Sequence, residues 1–344
     1  MTATALAPAV LATGRSWAAE ELNILVWCDH ADRKLVEPFE EAHKVRVNVK
    51  TYEGTGTALG ILEQSRPGDW DVVVIDAQDV PMVARTGILE QLSDGDVPWD
   101  DIFPQLRSAP YTYVDGKLYA VPEKFGYYGV AYNKNKVDPA DMRSAQVMWN
   151  EKYKGRIGVY DYYFPCIQLI GISMGLAPSQ ITLDNLPQIR ERLLGMKKLV
   201  RVIGDIVSVQ NALVSGDVDL VVNGAEFTVS NLMPDNPRLD WVIFNEGGLL
   251  WNQGLAILAD SKKKDLAQAF VDHVISPSGQ GLLATSDCFW AMPANKKAVL
   301  SDAEKAILRW DEQGDFLARS YPSTIGEPAL DAAMLDLWGE FIQA

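Results

Sequence analysis

Indole, phenol and carboxylate groups recur at the ends of apolar runs in this chain, at Trp27 to His30, Asp76 to Gln78, Tyr160 to Phe164, Asn223 to Glu226 and Trp251 to Gln253. Together such groups can hold an organic cation: a carboxylate pairs an ammonium, and each aromatic face contributes roughly 0.5–2 kcal/mol toward a positive charge. Further aromatics gather at Phe125, Tyr127, Tyr128, Phe289 and Trp290. Strand aromatics usually pack, so about half of this set is expected in the core rather than on a ligand.

Motifs for bond-making chemistry are weaker. Ser173 in GISMG matches a nucleophile-elbow pattern, but that elbow needs a preceding strand, and the run after Pro165 reads as an apolar helix. His273 follows in the right order for a catalytic partner, yet it lies within an amphipathic helix. An exported serine hydrolase is therefore a distant alternative. GTGTALG at 54–60 follows a strand and opens a helix, but its third glycine stands one place late for a dinucleotide fingerprint. Its free N–H groups are expected to meet an anionic ligand group or to cap the helix. His30, His43 and His273 have no ligand spacing, and no Cys-x-x-Cys or His-Glu-x-x-His is present. Neither a metal nor a cofactor is expected, and the chain reads as a binding protein rather than an enzyme.

The elements that would carry these side chains alternate between strand and helix. LNILVW, VRVNVKTYE and WDVVVI read as strands separated by helices over 33–42 and after Gly54, which argues for a parallel or mixed sheet covered on both faces. From Tyr111 the texture becomes hairpin-like, with Asp115-Gly116 as a turn, and FGYYGVAYN reads as a crossover into a second body. That body repeats the alternation through RIGVYD, helices over 167–174 and 186–198, VSVQNALVSGD and VDLVVN. WVIFNEGG then returns through Trp251. After it come a helix with Leu266, Phe270 and Val274 at helical spacing, a second capped by Ser276 with Pro277 in its first turn, and a final helical section. Polar and aromatic tips at the carboxyl ends of such strands are where ligands of open α/β sheets bind.

Bulk properties narrow the partner. The 344 residues suit two lobes, and 48% hydrophobic with 22% charged residues is the composition of a water-soluble globular chain. A formal net charge of −15 without a basic stripe argues against nucleic acid and anionic lipid and favours a cationic or zwitterionic solute. Residues 1–18 carry a short alanine-rich apolar run followed by small residues, Ser16 and Ala18, and read as an export signal without a basic start. No apolar run reaches the ~18 residues of a membrane span.

LVWCDH, KTYEGTGT, WDVVVIDAQDV, LYAVPEKFGYYGVAYN, WNEKYKGRIGVYD, SGDVDLVVN, EGGLLWNQGLAI, SPSGQ and PAN, in this order and spacing, resemble the ABC-transporter solute-binding proteins of the spermidine/putrescine type over about residues 20–344. The resemblance implies a two-lobed α/β periplasmic-binding-protein fold of type II, each lobe a mixed sheet flanked by helices, with the ligand in the cleft between them. Lobe 1 is expected over 19–129 and 251–297, lobe 2 over 130–250 and 298–344. It further implies a periplasmic receptor, expected as a monomer, that closes by hinge motion and delivers its ligand to permease subunits. Cys28 and Cys288 would then fall in one lobe near the cleft. Either they pair in an oxidising compartment and leave Cys166 as a buried thiol, or all three are small buried hydrophobes.

Carrying the family's contacts across puts Trp27 and Trp251 at its aromatic walls, Asp29 at its acid and Asp76 at a polar contact. The acids of its second lobe are replaced by Tyr162 and Pro165, and the acid after the second wall tryptophan by Gln253; a third family tryptophan maps near Gly224, beside Asn223 and Glu226. Losing those acids penalises a ligand charged at both ends, because an unpaired buried charge costs several kcal/mol. The expected ligand therefore carries a single cation, as a betaine, a sulfonium zwitterion or an amino-acid-like amine, with its acidic end at the Gly54–Thr57 amides or Lys124. A polyamine is the alternative. The expected contacts are Trp27, Asp29, His30, Asp76, Phe125, Tyr128, Tyr162, Asn223, Trp251, Gln253 and Trp290.

Overall fold

The computed structural model describes residues 20–107 and 112–344, so the expected export signal over 1–18, and Tyr111, lie outside the described residues. The apolar run Glu20–Val26 forms β1, whose inward residues Leu22, Ile24 and Val26 are fully buried. Asp32 caps α1 (Arg33–His43) by accepting the Lys34 N–H, and the helix buries Leu35, Val36 and Phe39. Then follow β2 (Val45–Thr51), α2 (Thr55–Gln64), β3 (Val72–Asp76) and α3 (Val80–Arg85). A two-strand hairpin, β4 (Tyr113–Val114) and β5 (Lys117–Leu118), turns at Asp115-Gly116, both with positive φ.

The 13-residue strand β6 (Val121–Asn133) is buried along its whole length. After it come β7 (Ile157–Tyr160), α4 (Tyr163–Ser173), α5 (Leu186–Lys197), β8 (Val200–Gly204), α6 (Ile206–Ser215), β9 (Leu220–Gly224), α7 (Glu226–Val229) and β10 (Leu239–Val242). The chain returns through β11 (Gly248–Ile257), α8 (Lys264–Ile275), α9 (Pro277–Ala284) and β12 (Met292–Pro293). It ends with α10 (Asp302–Ile307), α11 (Gln313–Ala318), β13 (Ser320–Pro322) and α12 (Pro328–Gln343).

Strand order is β2-β1-β3-β11-β6-β9-β7-β8, the mixed sheet expected from the alternation. The outer pairs β1–β2, β1–β3, β7–β8 and β7–β9 are parallel; the central pairs β3–β11, β11–β6 and β6–β9 are antiparallel. β6 belongs to both halves. Its residues up to Tyr128 pair with β11, and from Gly129 onward they pair with β9 and β10. At the changeover only glycine fits, since a Cβ on Gly129 would lie 2.5 Å from the Val242 carbonyl oxygen. On the β9-β7-β8 side α4 packs against α5 and α12 over a core that includes Ile167, Leu193 and Trp338. No described helix is long and apolar enough to cross a membrane.

Candidate ligand-binding cleft

The carboxyl ends of the parallel strands converge on a cavity of about 380 Å³. From the β1-β2-β3 half come Trp27 after β1, Glu53 and Gly54 after β2, and Asp76 and Gln78 after β3. The opposite half contributes Tyr160, Asp161 and Tyr162 after β7, Asp205 to Val207 after β8, and Phe227 after β9. The central strands form the floor with Tyr128, Trp251 and Gln253, and Ser323 borders it just beyond β13. Cys28, Cys288 and Phe289 close one side, and the two cysteines form a disulfide with Cα atoms 6.1 Å apart. Cys166 is a free, buried thiol.

Aromatic faces dominate the walls. Phe227 stands edge-on to Trp251, Tyr128 and Tyr160, with centroids at 6.2, 5.7 and 5.7 Å, and Tyr162 is edge-on to Tyr128 at 6.3 Å. Burial raises the pKa of Tyr128, Tyr160 and Tyr162, so these rings stay neutral phenols. Among the described residues the charge is entirely acidic: Glu53, Asp76, Asp161 and Asp205 line the cavity, and no lysine or arginine does. Asp76 accepts from Gln253 Nε2 at 2.7 Å and from Thr55 Oγ1 at 3.3 Å. Its burial nevertheless raises its pKa, and Asp79, one turn on, is pushed up to about 6 by burial and by the Asp76 charge. Asp161 accepts from Trp338 Nε1 at 2.7 Å, and Asp205 caps α6 through Ser208 N at 2.7 Å. Gln253 Oε1 is buried without a hydrogen-bond partner among the described residues.

Of the expected contacts, Trp27, Asp76, Tyr128, Tyr162, Trp251 and Gln253 meet at this cavity. Asp29 and His30 do not. Both are fully buried behind Trp27, where Asp29 pairs with Lys124 and accepts from His30 Nδ1 at 3.0 Å, while His30 Nε2 meets Glu123 at 2.6 Å. Burial opposes charge on Asp29, but Lys124 and His30 outweigh it and lower its pKa. Burial likewise opposes a charged His30, and the Glu123 and Asp29 carboxylates overcome it. Lys124 is thereby spent within this cluster and cannot serve as the anion partner expected of it. Phe125 is core, edge-on to Phe103 and Tyr127. Trp290 packs against the same core. Asn223, fully buried at φ +61°, donates from Nδ2 to the Tyr160 and Tyr162 carbonyls at 3.0 Å, shaping the wall from behind. The hydrolase alternative also fails on geometry: Ser173 ends a helix, and its Oγ donates to the Ile170 carbonyl at 2.6 Å.

Tyr160 and Asp161 lie in a strand tip expected at the cleft but outside the expected contacts; Glu53, Asp205 and Phe227 carry no such expectation, and all five line the cavity. The available signal for Asp205 was its capping position before VSVQNALV, missed because VRVIG was not recognised as a strand.

The model of the bacterial extracellular solute-binding protein family matches residues 34–308. The chain belongs to this family. Among its relatives, the putrescine/agmatine-binding protein of Pseudomonas aeruginosa is 24% identical over 313 residues, covering 86% of this chain and 84% of the relative. The spermidine/putrescine-binding periplasmic protein of Escherichia coli is 25% identical over 281 residues, covering 79% and 78%. In fold the chain is similar to the spermidine/putrescine ABC-transporter substrate-binding protein of Streptococcus pneumoniae, with a TM-score of 0.80 at 17% identity over 94% of this chain and 99% of the other. The two-lobed type II architecture follows from the fold, and the family gives the class: a solute-binding protein rather than an enzyme.

Proposed function

We propose that this receptor captures a small organic polycation of the polyamine class in the aromatic, acidic cleft and passes it to ABC permease subunits outside the cytoplasmic membrane, working as a monomer. The observation that carries the reading is the lining: aromatic faces, two acids from each half (Glu53 and Asp76; Asp161 and Asp205), and no basic side chain. Acids on both sides suit amines at both ends of a ligand. In this reading the bodies that close are 19–129 with 251–297 and 130–250 with 298–344, hinged on the central strands. The names of the relatives point the same way.

This reverses the preference for a single-cation zwitterion. Two like charges about 6 Å apart at an effective dielectric of about 20 repel by roughly 3 kcal/mol, so a carboxylate-bearing ligand is disfavoured among four acids. The zwitterion reading keeps one supporting feature, the first-turn N–H groups of α2 beside Gly54 at the cavity edge. Titration calorimetry with putrescine, agmatine, spermidine, glycine betaine, a sulfoniopropionate and amino acids separates the two. The expected result is polyamine binding that Trp251→Ala weakens by about 1–2 kcal/mol. Binding of a zwitterion with no response to any polyamine overturns it.

A further inference from the structure

We infer that the Cys28–Cys288 disulfide is a positioning element of the cleft: it fixes the Phe289 wall and the Cys288 carbonyl that Asn231 holds from the other half, so that reduction weakens ligand retention in a protein that stays folded. The inference rests on the cleft being the ligand site.

Cys28 follows directly on β1 and Trp27, and Cys288 lies in the loop between α9 and β12. Both cysteines line the cavity. The crosslink therefore ties two wall segments 260 residues apart at the place where they face the ligand. The other ties on the loop are internal or exposed: the buried Ser286 Oγ donates to the Phe289 carbonyl at 3.0 Å, which shapes the loop without anchoring it to the β1 side. Asp287 N donates to Asp32 Oδ2 at 2.9 Å, and the Lys34–Asp287 ion pair at 2.5 Å joins side chains that are 57% and 80% exposed, a pairing that contributes little in water. Thr285 and Trp290 form one isolated bridge.

The loop also connects inward and across. Lys124 Nζ sits 4.7 Å from the centre of the Phe289 ring, so the ring that walls the cavity rests on the buried Asp29–His30–Glu123–Lys124 cluster. From the opposite half Asn231, just beyond α7, donates Nδ2 to the Cys288 carbonyl at 3.1 Å. A contact that bridges the two halves at the cleft favours the closed arrangement only if its acceptor is held in place, and the disulfide holds it.

Reduction by dithiothreitol proceeds by thiolate attack on one cystine sulfur, giving a mixed disulfide and one cysteine thiolate. The second reductant thiol then displaces the other cysteine, two protons end on the two cysteine sulfurs, and the reductant leaves as its cyclic disulfide. Because a crosslink closing a long loop also stabilises the fold globally, the test needs local readouts. Hydrogen exchange on the full chain, oxidised and reduced, should accelerate more at 285–291 than at β6 and β9, whose buried amides report only the global loss of stability. Acceleration at 285–291 no larger than that at β6 and β9 overturns the positioning role whatever the ligand. Spermidine affinity should fall about tenfold on reduction and in the Cys28→Ser/Cys288→Ser double variant. Asn231→Ala should cost a similar factor in the oxidised protein and little more once it is reduced. Equal spermidine affinity in oxidised and reduced protein overturns the inference; absence of polyamine binding by the oxidised chain overturns the cation reading instead, and the exchange result still decides the role of the disulfide.

Discussion

Glu226 is fully buried beneath the cleft floor, with both carboxyl oxygens accepting the Tyr127 N–H, at 3.0 and 3.2 Å. Burial dominates over those hydrogen bonds and pushes its pKa up to about 8 from an ordinary 4.5. The folded state therefore holds a proton that the unfolded chain releases near 4.5, and stability falls as pH rises from there to about 8, then levels off. Asp79 adds a contribution of the same sign, ending near pH 6. Glu226→Gln should flatten the slope between about pH 6 and 8, leaving the part that His30 contributes through its raised pKa, measured by urea unfolding across that range; an unaltered slope assigns it to other groups. Residue identity alone did not reveal this state, because the carboxyl lies two residues past a strand tip that reads as ligand-facing and is turned inward by a bond to the central strand.

Among the elements, β6 decides the most. Its apolar, aromatic sequence was legible as a crossover strand, and it does join the two halves. What the pattern could not reveal is how closely the chain packs at Gly126, opposite Trp251 on β11. A Cβ there would stand 1.7 Å from Glu226 Oε1 and 2.6 Å from the Trp251 ring. Both neighbours are held, one by burial and one by its place in the cavity wall, so Gly126→Ala should destabilise the fold by about 1–3 kcal/mol. A lowered urea midpoint with unchanged slope is the expected signature, and an unshifted midpoint would show that the wall gives way freely. β8 escaped notice for a different reason: at the end of the sheet order its residues are half-buried, and Arg201 interrupts the apolar run.

At the scale of the whole molecule, a formal charge of −15 surrounds a cleft with acids on both sides and no base in its lining. Long-range attraction should then add to the binding of a polycation and be screened by salt, as the Debye length shrinks from about 10 Å at 0.1 M to about 3 Å at 1 M. Spermidine affinity is expected to fall steadily with sodium chloride and more steeply than putrescine affinity, since spermidine carries more charge. Calorimetry over that range checks this, and salt-independent binding would mean that aromatic contacts alone retain the ligand.

The order of strands and helices, the crossover and the aromatic strand tips were readable from the chain because they depend on local periodicity and on side-chain type. Trp27, Asp76, Tyr128, Tyr162, Trp251 and Gln253 were found on that basis, and they line the cavity. Only the folded molecule decided which neighbours of those tips face the ligand. Asp29 and His30 turned inward because Lys124 and Glu123, on a strand more than ninety residues away, offered a buried charge balance. The Cys28–Cys288 pairing and the approach of Asp205 to the cleft likewise depend on contacts between distant segments. Such pairings are settled by competition among long-range partners, which neither periodicity nor spacing encodes.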